Sequence, residues 1–80
     1  MTKEEIIKKL IPIISDSLSR PAEEVIPTAH FQNDLGADSL DTVQLMTDIE
    51  KEFHIVFSDN EIEKISTVQD AIDILHSRLQ

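Results

Sequence analysis

The chain has 80 residues, 40% of them apolar, with three Phe, no Trp, no Tyr and no Cys, so residues 1–80 read as one small domain whose core is built from Ile, Leu and Val. Disulfides and thiolate metal sites are excluded, and a net charge of −9 argues against nucleic acid and anionic membranes as partners and for basic protein surfaces. No apolar run reaches the length of a membrane span and no signal-peptide core opens the chain, so membrane insertion is not expected and the cytoplasm is the expected address.

In chain order, the first helical signal opens at Thr2, where Thr2 and Glu5 have the spacing of a capping box. Ile7, Leu10, Ile11, Ile14 and Leu18 then recur at helical spacing as one stripe. Pro12 projects opposite that stripe and predicts a kink toward solvent with the core face intact. The helix is expected to end near Ser19, because Arg20 precedes Pro21 and is pushed out of helical geometry. Residues 20–37 read as a long loop stiffened by Pro21 and Pro27 and pinned to the core by Val25, Ile26, Phe31 and Leu35. Connections of this length are usually functional or disordered, and the apolar anchors favour the first.

A second helix is expected from Asp38 or Ser39 to about His54, with Asp38 as N-cap and Asp41 adding a carboxylate in the first turn. Leu40, Val43, Met46, Ile49 and Phe53 supply its expected buried side, opposite Asp41, Gln44, Asp48, Lys51 and Glu52. Ser58 with Glu61 signals a short third helix that includes Ile62 and Ile65. Thr67, with Asp70 three residues on, opens a fourth whose stripe is Val68, Ala71, Ile72, Leu75 and Leu79. Ile55-Val56-Phe57 reads as a strand only in isolation. The fold class is therefore all-α: a four-helix bundle with three main helices, one short third helix and a long first loop. Residues 34–63 hold nine acids against one base, Lys51, and carry nearly all of the net charge. A solvated helix face is the plain reading of such a run.

The chain's one glycine lies in Asp34-Leu35-Gly36-Ala37-Asp38-Ser39-Leu40, where the loop meets the acidic helix. A serine in a first helical turn places its hydroxyl among unpaired N–H groups, where an attached anion gains about 0.3–1 kcal/mol. Taken alone, Ser39 reads as an N-cap or ordinary first-turn serine. A serine hydrolase is disfavoured, since Gly-x-Ser-x-Gly is absent and no histidine stands at helical spacing from Ser39. His30, His54 and His76 show no metal-ligand pattern and no EF-hand loop is present, which leaves only weak cation binding along the acidic helix.

In context the segment resembles the acyl carrier protein family. Asp38-Ser39-Leu40 matches the family's modification motif, Leu35 to Val43 reads like its usual text, and the likeness continues through Glu52-Phe53, Glu63-Lys64-Ile65 and Thr67-Val68-Gln69. The resemblance implies a monomeric carrier, not an enzyme, whose Ser39 receives 4′-phosphopantetheine from coenzyme A through a phosphopantetheinyl transferase. The arm's thiol then holds acyl groups as thioesters for synthases, transferases or ligases, with fatty-acid synthesis as the default and specialised acyl, aminoacyl or polyketide units as the alternative. An unmodified acidic interaction module is the rival from another class. Asp38, Asp41 and Glu50 are implied docking acids by the resemblance, and Asp48 joins them by helical geometry. The chain departs from the family's pattern at Gln44, Thr47, Lys51, Val56, Phe57-Ser58 and Ile62. In the family the acyl chain folds back between the second and third helices, and Ile62 and Phe57 are expected to narrow that space.

Overall fold

Each helix starts where a side chain can satisfy backbone N–H groups that have no partner within the helix. In the computed structural model, which describes Met1–Gln80, α1 spans Lys3–Leu18, α2 Ser39–Phe53, α3 Asp59–Lys64 and α4 Val68–Arg78. All four open with reciprocal capping boxes: Thr2 with Glu5, Asp38 with Asp41, Ser58 with Glu61 and Thr67 with Asp70. α1 ends at Ser19 and α2 at His54, both in the left-handed conformation. α1 continues through Pro12, which is exposed as its position opposite the stripe requires. Ile6, Leu10 and Ile14, four residues apart, are the fully buried row, while Ile7, Ile11 and Leu18 are half-buried at its sides.

The 20–37 connection contains one 3-10 turn, Ala22–Glu24, and is otherwise tied down by its own backbone. Phe31 N–H donates to Ser66 O, Val68 N–H to Ala29 O and Gln69 N–H to Pro27 O, which fastens the loop to the junction between α3 and α4. Val25, Phe31 and Leu35 are buried as expected, joined by Ala29 and Ala37. Ile26 is not an anchor: it is 49% exposed, because Val25 beside it occupies the inward position.

α2 is rotated from the face expected for it. Leu40 and Val43 lie outside, 80% and 66% exposed, and Leu45 joins Met46, Ile49 and Phe53 in the core. The cause is geometric. At about 100° per residue, steps of three fall short of a full turn by about 60°, so the run from Leu40 to Val43, Met46 and Ile49 winds halfway round the helix. The core takes only its last part, and Leu45, Ile49 and Phe53 supply the matching row of fours. α1 packs against both α2 and α4. In the α2–α3 connection Phe57 is buried, Ile55 half-buried and Val56 exposed, with no strand formed.

Candidate functional site

The loop delivers the chain to α2 through three constraints. Leu35 N–H donates to His30 O at 3.0 Å, Ala37 N–H donates to Phe31 O at 2.8 Å, and both side chains are buried. Between them Gly36 adopts a φ of +72°, which side-chain-bearing residues adopt at a cost. Asp38 then caps α2: its Oδ1 accepts from Asp41 N–H at 2.8 Å, and Asp41 Oδ2 accepts from Asp38 N–H at 3.2 Å. Ser39 is thus the first residue inside the helix and is exposed, with the capping work done by its neighbour. This removes the N-cap explanation for a serine at this position.

The exposed side of α2 combines apolar and acidic groups. Leu40, Val43 and Thr47 fall within about 60° of one another around the helix, with Glu50 along one edge and Asp41 and Asp48 along the other. Asp38 is exposed, while Asp41, Asp48 and Glu50 are half-buried. Asp48 Oδ1 accepts from Gln44 Nε2 at 2.9 Å, and Glu50 Oε2 accepts from Phe57 N–H at 2.7 Å, so Glu50 also holds the α2–α3 connection. The three ion pairs, Lys3–Asp73, Arg20–Glu24 and Arg78–Glu61, use no acid of α2. The negative field along this helix is therefore opposed only by Lys51 in its last turn, which forms no ion pair with the helix's acids.

A cleft of about 350 Å³ opens beside the same helix, lined among others by His30, Phe31, Thr42, Ile62, Glu63 and Ile65. Thr42, which lines the cleft, stands about one turn beyond Ser39 on α2. Ile62 lines this space as the sequence suggests; Phe57 does not, because its ring is turned into the core. The three histidines do not converge: His30 borders the cleft, His54 caps α2 and His76 lies on α4.

Two side chains that hold this site together escaped sequence reasoning. Arg78 donates to Glu61 Oε1 at 2.6 Å and to Val56 O at 3.0 Å, bracing α3 from the far end of α4. Arg20 donates from Nε to Leu35 O at 3.2 Å. Neither link has a local pattern, since the partners are 17, 22 and 15 residues away.

An exposed first-turn serine, a glycine turn before it and an acidic helix with an apolar strip are the features expected of a carrier domain of the prosthetic-arm type. The family model for the phosphopantetheine attachment site matches residues 8–75. An acyl carrier protein from Cyanidium caldarium is 49% identical over 79 residues, covering 99% of this chain and 92% of its own. One from Porphyromonas gingivalis is 49% identical over 76 residues, covering 95% and 97%. The solved structure of the Enterococcus faecalis acyl carrier protein superposes with a TM-score of 0.79 at 36% identity, covering 96% of this chain and 98% of that one. The chain belongs to the acyl carrier protein family. It carries 4′-phosphopantetheine covalently and holds acyl intermediates as thioesters for fatty-acid or related synthesis, which gives a cysteine-free chain its thiol.

Proposed function

We propose that Ser39 bears the arm and that the outer face of α2 docks the enzymes that load and use it. The observation carrying this reading is that Ser39 is exposed at the start of α2 while Asp38 performs the capping. Its hydroxyl is accessible to a transferase, and a phosphodiester formed there lies at the positive end of the helix dipole. Asp38, Asp41, Asp48 and Glu50 supply the negative field that draws a basic partner, and Leu40 and Val43 supply apolar area for the contact centre. The partners are a phosphopantetheinyl transferase and acyl synthases, transferases or ligases with basic patches, met by a monomer in the cytoplasm.

The carrier has no active site of its own on this reading. All 17 buried residues are apolar. No helix is long and apolar enough to cross a membrane.

Intact-mass measurement after co-expression with a phosphopantetheinyl transferase tests the assignment. The wild type gains one arm and folded Ser39→Ala gains none. An arm on Ser39→Ala sinks the assignment, and an unmodified wild type would point to the interaction-module reading.

A further inference from the structure

The loop that presents Ser39 is held from outside by a single cationic side chain. Arg20 lies just past α1, and both polar groups of its backbone are fixed: its N–H donates to Ser15 O at 3.1 Å and its carbonyl accepts from Ser15 Oγ. From this anchored base the side chain reaches the far end of the same loop. Nε donates to Leu35 O at 3.2 Å, and Nη1 pairs with Glu24 Oε1 at 3.4 Å. The guanidinium then runs alongside Gly36, so close that a Cβ there would stand 3.0 Å from Nη2. Leu35 is thereby held through its N–H by His30 O and through its carbonyl, which belongs to the Leu35–Gly36 peptide, by Arg20, only four residues ahead of Ser39.

We infer that Arg20 is a positioning residue for the modification of Ser39: its planar guanidinium holds the Leu35-Gly36 turn in the orientation the transferase recognises. This rests on the assignment of the arm to Ser39. A turn held before encounter spares the complex the entropy of ordering it on binding. An arginine fits the task because Nε and Nη1 are directed at different partners from one rigid plane, whereas lysine supplies a single mobile ammonium.

The charge of Arg20 makes the effect separable from simple electrostatics. Removing a base from an acidic carrier strengthens its attraction to a basic transferase, so a pure charge effect lowers KM. Loss of positioning raises it. The experiment compares wild type, Arg20→Gln, Arg20→Lys and Ser39→Ala as apo proteins, measuring transferase KM and kcat together with thermal melting. Arg20→Gln is expected to raise KM by about tenfold, the scale of one lost hydrogen bond from a charged donor, with kcat within about twofold. Arg20→Lys, which keeps the charge and the stem, is expected to recover only part of that loss and covers the case in which Arg20→Gln fails to fold. An unchanged or lower KM in the folded variants overturns the inference, as does complete rescue by lysine, which would show that a single ammonium holds the loop and that the planar guanidinium is not required. Modification of Ser39→Ala, or no modification of the wild type, overturns the assignment on which the inference depends and is distinguished by mass before any rate is compared.

Discussion

Leu40 and Leu45 are one residue type on one helix, five positions apart, and the structure assigns them opposite work. Leu45 is 0% exposed, whereas Leu40 is 80% exposed. Leu45→Ala removes buried atoms and leaves a cavity, which costs about 2–5 kcal/mol. At about 0.05–0.15 kcal/mol per residue an 80-residue chain has about 4–12 kcal/mol in all, so this loss is a large share. With about 4–8 °C per kcal/mol in a domain of this size, the melting temperature falls by at least about 8 °C. Leu40→Ala removes a side chain that is already in water, and its effect on stability is expected within about 0.5 kcal/mol. Binding should show the reverse order. A leucine covered fully by a partner contributes about 1.5–3 kcal/mol, so its loss weakens docking by about 10–100-fold. Circular-dichroism melting and titration calorimetry with the transferase measure the two effects on the same samples. Equal losses of melting temperature would show that α2 is rotated differently, and unchanged affinity in Leu40→Ala would remove the apolar strip from the docking surface.

The remaining predictions concern charge, pH and the cleft. Neutralising Asp41 and Asp48 together as Asn keeps their acceptor oxygens and is expected to slow association with a basic partner, most at low salt; the same charge change at exposed Asp16 and Glu23 should leave the rate nearly unaltered, and equal slowing would mean that only net charge matters. Glu5, Glu61 and Asp70 are held below their ordinary values of 4.5, 4.5 and 3.8, first of all by the backbone N–H groups of Thr2, Ser58 and Ser66. The unfolded chain then binds more protons, so their stabilisation is complete above those ordinary values and is lost as pH falls through the lower folded ones; melting temperature should drop below about pH 4, less steeply in Glu61→Gln, and a flat profile from pH 5 to 2.5 would contradict this. Ile62 narrows the cleft beside Thr42, and overpacking costs about 1–3 kcal/mol against about 0.8 kcal/mol gained per buried methylene; acyl forms of increasing length are expected to stop stabilising the wild type early and to continue stabilising Ile62→Ala, and parallel series would exclude Ile62 as the limit.

The features legible in the sequence were those set by neighbours within one turn. A hydroxyl or carboxylate three residues before another carboxylate is a local signal, and Thr2, Asp38, Ser58 and Thr67 all begin their helices as that spacing implies. Ser39, three residues after Gly36, is singled out instead by the family resemblance of the Leu35 to Val43 segment, since taken alone it reads as a cap or an ordinary first-turn serine. What a single stretch cannot encode is which arc of a helix its partners will cover, and α2 shows why. Its apolar residues surround more than half of the helix, so both the Leu40–Val43 arc and the Leu45–Ile49–Phe53 arc are suited to burial. Packing of α1 against α2 selects the second. Arg20 was equally hidden, because its target carbonyl is 15 residues away and any carbonyl could accept. An isolated exposed leucine needs no explanation, since much of any protein surface is apolar. Two apolar side chains left side by side next to an accessible serine, on a helix whose acids form no ion pair, are a different matter. Folding has no use for them there, whereas on the proposed assignment of the arm to Ser39 an enzyme that approaches this serine gains both long-range attraction and a place to seat.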